Sequence, residues 1–276
     1  MLVTQFKRIF GLDFIRALAI FLVVLSHVTF LVFPHEDNLV ITAIRIFGAV
    51  GVDLFFVLSG YLIGGILLKQ IKLNKTSSKD LLTFWKRRWL RTLPNYYLVF
   101  MLNLLIFITL EKQLPNQWGL YLPFLQNFSS PHPNFFTEAW SLSIEEYAYL
   151  LLPLLIFVSF KLFKGLNKQK IFFYTTVFVI FALALLKYQY YLNTTIHSYS
   201  DWSASFRKVV IYRIDSIYIG FLLVYLMSAY QQFCNSYKKH LLFLGLFSFM
   251  LIHLLMFGYQ LSPEKNPLFY VFVYLQ

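Results

Sequence analysis

Cysteine is nearly absent from this sequence, and the single Cys234 excludes an internal disulfide and any cysteine-built metal cluster. Charge is scarce too. Asp, Glu, Lys and Arg make up 13% of the 276 residues, where a soluble domain carries about 25%. That leaves too little polar surface to coat a globule. No pair among the six histidines has the spacing of a zinc site, so no metal is expected. A G-x-x-x-x-G-K-S/T phosphate loop and a G-x-S-x-G nucleophile elbow are both missing. There is no internal repeat, low-complexity tract or soluble domain. The N-terminal apolar run has no small-residue cleavage site and carries Arg16 and His27 inside it, which argues against a cleaved signal peptide.

What the chain has instead is apolar length, with 59% hydrophobic residues gathered in long blocks. Stretches of about 18 or more apolar residues can each cross a bilayer as a helix. Such helices are expected at 12–33, 41–68, 93–110, 138–160, 171–192, 209–229 and 241–258. An eighth begins near Pro267 and runs off the end at Gln276, too short to span. The expectation is an all-α polytopic bundle forming one transmembrane domain over 1–276, with seven transmembrane helices and a truncated eighth, incomplete at its C-terminus. Such a chain belongs in the cell membrane, plasma or inner, as a multi-pass protein whose first partner is the lipid bilayer.

The net charge of +12 would suggest nucleic acid in a soluble protein. Here the basic residues fall in short segments between apolar blocks. Sixteen Lys and Arg lie on one side, including eight in 69–91, against five on the other: Lys112, Lys187, Arg207, Lys208 and Lys265. The positive-inside rule then places the N-terminus in the cytoplasm and removes the need for a nucleic-acid partner.

Ionisable side chains inside a span cost about 2.5–3.5 kcal/mol each on insertion scales, and they face a bundle interior or a wet cavity. The first helix carries Asp13, Arg16 and His27. At about 100° per residue the three form one stripe, with His27 about 16 Å beyond Arg16 along the axis. In the second helix Asp53 shares a face with Gly60 and Gly64, whose spacing lets a neighbour approach closely, and the first helix is the expected neighbour. Asp53 is either a functional group or a paired charge in the packing. Ahead of the third helix, Lys86 and Arg87 suit a topology anchor. Arg88 and Arg91, three apart on one face, suit either that anchor or a phosphate clamp. The fourth helix enters from outside with Glu145 and Glu146 about two turns down. The sixth opens with Arg213 and Asp215. The expected arrangement is an outer polar layer of His27, Glu145 or Glu146, Arg213 and Asp215, above an inner group of Arg16, Arg88 and Arg91. Arg213 and Asp215 read more readily as helix-pairing charges than as catalytic ones.

Several blocks in order resemble the acyltransferase type 3 family of integral-membrane O-acyltransferases. They are Gly11-Leu-Asp13-Phe-Ile-Arg16, the pair Arg16-x10-His27, the run Gly51-Val-Asp53 through Gly60, and Arg88-Trp-Leu-Arg91. Phe124-Leu-Gln-Asn127 followed by Trp140-Ser141-Leu-Ser-Ile-Glu145-Glu146 makes another, and Tyr212-Arg213-Ile-Asp215 with Gly220 the last. The resemblance implies transfer of an acyl group, acetyl being the expected one, from acyl-CoA to a hydroxyl of a cell-surface glycan or glycolipid, as in O-acetylation of cell-envelope polysaccharides. On this reading Arg88, Arg91 and Arg16 hold the CoA phosphates, and no cofactor is tightly bound. His27 serves as general base or as nucleophile, Glu145 or Glu146 orients it, and Asp13 and Arg16 belong to the same catalytic stripe. Asp53, Trp140, Ser141, Arg213 and Asp215 are supporting residues. The acceptor is a carbohydrate or a lipid-linked glycan. The rival readings are a transporter or flippase of a lipid-linked glycan, or a shortened, non-catalytic family member.

Overall fold

The computed structural model describes residues 9–36 and 38–272. Lys7 and Arg8, counted above on the inner side, lie outside them, as do residues 273–276 of the final apolar run. Among the described residues the elements are helical, with no strand. In chain order they are α1 (Phe10–Val32), α2 (Leu39–Lys72), α3 (Ser78–Glu111), α4 (Trp140–Leu162), α5 (Lys168–Asn193), α6 (Tyr199–Trp202), α7 (Val210–Arg213), α8 (Asp215–Ala229), α9 (Gln231–Gly258) and α10 (Pro267–Phe272). Among these residues, seven helical segments are long and apolar enough to cross a membrane. The chain is a multi-pass membrane protein. "Inner" and "outer" below follow the charge bias.

Helix boundaries depart from the hydropathy reading where polar sequence continues a helix beyond its apolar part. The third helix starts at Ser78, not near 93. A capping box starts it: Ser77 Oγ accepts from the Asp80 N–H (3.2 Å), and Asp80 accepts from the Ser77 N–H (2.9 Å). Arg88 and Arg91 therefore sit inside a helix rather than in a loop ahead of one, with Arg88 about 15 Å from its start. The inner segment 69–91 becomes the ends of two helices joined by a short turn. Lys238 and Lys239 likewise fall within α9, which starts ten residues before its apolar part. Lys187, counted as an outer-loop charge, lies inside α5 and is 1% exposed. The single helix expected at 209–229 is broken at Ile214 into α7 and α8.

α2 is the spine, packed along α1 on one side and α8 on the other. Both contacts rest on glycine. A Cβ on Gly51 would meet the Ala19 carbonyl of α1 at 2.7 Å, and one on Gly60 would run into the Ile217 carbonyl of α8. Gly220 of α8 is equally tight against the Val57 carbonyl. The Gly60/Gly64 face therefore meets α8, not the first helix as expected. It is Gly51 that α1 requires. Small residues let backbones close up where lipid supplies no hydrophobic drive. Around α2 and α4 the bundle is filled by Phe56, Ile144, Leu152, Ile217 and Phe221, each 0% exposed. Most of α9 carries its large apolar side chains outward, as a lipid-facing helix does.

Candidate functional site

Two cavities are stacked along the same helices, and many of the intramembrane charges line one or the other. The inner cavity, of about 680 Å³, is lined by Asp13 and Arg16 of α1, Ser59 and Lys69 of α2, Arg88, Arg91 and Thr92 of α3, and Glu145 of α4. The outer cavity, of about 450 Å³, is lined by Ser26 and His27 of α1, Thr42 and Arg45 of α2, and Trp140 at the start of α4. Tyr199, Ser203, Arg207 and Lys208 complete it from the segment between α5 and α7. Each of α1, α2 and α4 lines both cavities, one above the other. The levels come close on α2, where Val52 faces the outer cavity and Phe55 the inner one.

The inner cavity is built around a clamped arginine. Arg88 Nη2 donates to Glu145 Oε2 at 3.1 Å, with both side chains largely buried. The same carboxylate oxygen accepts from the hydroxyls of Tyr149 (3.0 Å) and Ser59 (3.3 Å), which also contact each other. The Arg88 guanidinium lies 3.4 Å from the centre of the Tyr149 ring, a stacking that Arg favours and Lys cannot reproduce. Trp85 Nε1 donates to the Tyr149 carbonyl at 2.9 Å and so fixes the ring from behind. Glu146, next along, accepts from Thr92 Oγ1 at 2.9 Å. At the mouth Arg16 pairs with Asp13 at 2.9 Å, both about half exposed. Arg91 makes no ion pair among the described residues. Four cations thus face two carboxylates, and the surplus positive charge suits a polyanion.

The expected contact between His27 and Glu145 or Glu146 is not formed. Both glutamates are buried at the level of Arg88 and Thr92, while His27 is exposed in the outer cavity. The reason is geometric. Arg88 rides well up α3, and Glu145 lies more than a turn below Trp140, so the opposite charges meet between the two expected layers. Arg213 and Asp215 leave the expected layer as well. Arg213 pairs with Asp53 between α7 and α2, and Asp215 accepts from Lys187 of α5 at 2.5 Å. All of these except Asp53 are buried. Asp53 thus faces Arg213 rather than the first helix. These four join helices and line neither cavity. Ser141 lines neither cavity.

The outer cavity is shaped by a loop. Asn127 Nδ2 donates to the carbonyls of Trp140 (3.1 Å) and Lys208 (2.7 Å). Its own carbonyl accepts from the Val210 N–H at 2.9 Å. Gln126 beside it donates to Ser143 Oγ at 2.6 Å. This buried pair ties the 112–139 segment to α4 and to the stretch before α7. Residues Ser203–Arg207 form a π-helical turn, a rare conformation that is frequent at functional sites. It carries the Arg207 guanidinium over the Trp140 ring, 5.1 Å from its centre. Arg45 donates to the Phe33 carbonyl at 2.7 Å. Burial holds the Lys208 ammonium below the ordinary lysine range, and Arg207 beside it pushes the same way, partly offset by Glu138.

Site residues that the sequence did not single out are Ser59, Tyr149, Asn127, Arg207 and Lys208. For the last two a signal existed, since they are basic residues on the side where the charge bias allows few.

The fold and these cavities define a polytopic membrane protein with a basic inner chamber and a histidine-bearing outer chamber in one bundle. Residues 9–276 match the family model described as acyltransferase domain, of the type 3 group, and the chain belongs to that family. Over 180 residues it is 32% identical to YrhL of Bacillus subtilis, covering 59% of this chain and 26% of that protein. It is 30% identical over 176 residues to the peptidoglycan O-acetyltransferase OatA of Listeria monocytogenes (58% of this chain, 26% of that one). It is 34% identical over 134 residues to the O-acetyltransferase OatA of Staphylococcus aureus (44% and 22%). The match thus spans about a quarter of the length of these relatives. No solved structure matches the chain.

Proposed function

We propose that this chain is the membrane unit of an O-acyltransferase that moves an acetyl group from acyl-CoA at the inner face to a hydroxyl of a cell-wall glycan at the outer face. The observation that carries this reading is the stacking of the two cavities on α1, α2 and α4. The surplus cations of the inner cavity suit the phosphates of CoA, with Arg88 held in place by Glu145 and Tyr149, and Arg16, Arg91 and Lys69 around it. Arg16 and His27 are separated by about 16 Å of helix, a span comparable with a pantetheine arm, so a donor anchored below would present its thioester near the imidazole. The relatives named as peptidoglycan O-acetyltransferases support a cell-wall glycan as acceptor.

The chemistry assigned to His27 is general-base catalysis, for which an imidazole suits neutral pH. An imidazole nitrogen takes the proton of the acceptor hydroxyl as its oxygen attacks the thioester carbonyl. A tetrahedral intermediate forms, the C–S bond breaks, and the departing thiolate takes that proton back from the imidazolium. Among the described residues no carboxylate contacts His27, and on this reading its orientation comes from the cavity wall and the bound acceptor. Membranes containing the chain, supplied with acetyl-labelled acetyl-CoA and a cell-wall glycan fraction, test the reading. Label is expected on glycan hydroxyls as an alkali-labile ester with wild type and not with His27→Ala. Equal labelling by the two would overturn it.

A further inference from the structure

We infer that the outer cavity recognises its acceptor through an anionic group, a carboxylate or phosphate carried on the glycan close to the hydroxyl that is acylated. This rests on the acyltransferase reading and names the acceptor's chemical class. Among the described residues, four basic side chains line the cavity, His27, Arg45, Arg207 and Lys208, and no carboxylate does. Three of them are Lys or Arg on the outer side, where topology disfavours such residues, so their presence calls for something the cavity does. The surrounding wall is apolar, from Val23, Phe30, Ile46 and Val52, which strengthens any charge interaction inside it.

Lys208 is the reading residue on this geometry. Its backbone is fixed by Asn127, which holds the Lys208 carbonyl at 2.7 Å, and its ammonium makes no ion pair among the described residues. The acidic groups nearby are Glu138, which is exposed, and Asp201, whose carboxylate accepts from the His197 N–H at 3.2 Å. Neither lines the cavity. A neutral glycan would leave a partly buried ammonium with no carboxylate from the cavity lining, whereas an anionic one would supply a counter-charge. Trp140 and Tyr199 add flat aromatic walls suited to a sugar ring. The division of chemistry is then consistent: polyphosphate donor below, acceptor with a carboxylate or phosphate group above.

The test measures binding to the full chain purified in neutral detergent, without donor. The probes are a hexuronate trisaccharide, its carboxyl-reduced neutral counterpart, a sugar 1-phosphate and glycerol 3-phosphate. Wild type is expected to bind the hexuronate or the sugar phosphate at least about tenfold more tightly than the neutral trisaccharide, with the preference shrinking as salt is added. Lys208→Gln is expected to reduce that ratio below about threefold, with Lys208→Arg restoring most of it and the exposed inner-loop control Lys164→Gln leaving it unchanged. Equal binding of charged and neutral glycans, no binding of any probe, or a ratio untouched by Lys208→Gln would overturn the inference. Glycerol 3-phosphate binding as tightly as the sugar phosphate would mark a lipid-headgroup site and overturn it too. Label transfer from acetyl-CoA separates this inference from the reading beneath it. Equally fast transfer to a neutral acceptor would remove the inference alone. A charge preference without any transfer would leave the anion site standing and remove the acyltransferase reading.

Discussion

In the inner cavity the central charged group is held on every side: Arg88 by Glu145, by the Tyr149 ring and, through Tyr149, by Trp85. In the outer cavity His27 makes no hydrogen bond among the described residues, and Lys208 is fixed only through its backbone. A clamped guanidinium is pre-organised to bind a fixed anion and is expensive to disturb. An imidazole left open makes no bond on which the packing depends, which leaves it available for proton transfer. On the proposed reading, the bundle places its clamped charges and its open imidazole at different heights.

The sharpest way to break this comparison is at His27. His27→Ala is expected to lower transfer by at least about 100-fold, the scale of a lost general base. Its thermal unfolding in detergent should stay within about 0.5 kcal/mol of wild type, as for an exposed substitution. A large loss of stability would mean that the outer cavity is as structural as the inner one. Next comes Arg88→Ala, expected to destabilise by about 3–5 kcal/mol because the buried Glu145 carboxylate loses its counter-charge. The double variant Arg88→Met/Glu145→Leu should recover most of that stability while binding no CoA, since an apolar pair of similar volume replaces the ion pair. Unfolding curves and CoA binding on the same samples distinguish the two effects.

A smaller effect is expected at Asn127. Asn127→Ala strips the Trp140 and Lys208 carbonyls of their donor, at about 1–3 kcal/mol, and should weaken acceptor use while CoA affinity stays unchanged. Loss of CoA affinity would show that the loop supports both levels. The smallest is a pH effect in the same loop. Burial holds the His132 imidazole below the usual histidine range, with Lys208 pushing the same way against the Pro133 carbonyl and Glu138. The unfolded chain gains that proton below about pH 6.5, while the folded loop resists it to lower pH. The unfolded state thus binds more protons in this window, and stability is lost as pH falls through it. His132→Gln should flatten the acid-side slope of melting temperature by a small but measurable amount.

The sequence was most legible within single helices and least legible between them. The Asp13, Arg16 and His27 stripe follows from helical periodicity alone, and Arg16 and His27 do open onto the two stacked cavities. The seven spans follow from apolar length. The meeting of Arg88 with Glu145 did not follow, because the polar first turns of α3 hide its start from hydropathy. The capping pair Ser77 and Asp80 was the available signal. The partners of Asp53 and Asp215 were hidden for another reason. Arg213 and Lys187 lie 160 and 28 residues away from them respectively, and no local pattern encodes such pairings. Gly60 showed that a close helix contact existed, but not that α8 would make it.

The most direct test of two cavities with divided labour is CoA binding measured beside label transfer for wild type, His27→Ala and Arg88→Met/Glu145→Leu, each first shown to be folded. The account predicts that His27→Ala binds CoA like wild type and transfers no label, and that the double variant does neither. CoA binding lost in His27→Ala, or kept in the double variant, would contradict it.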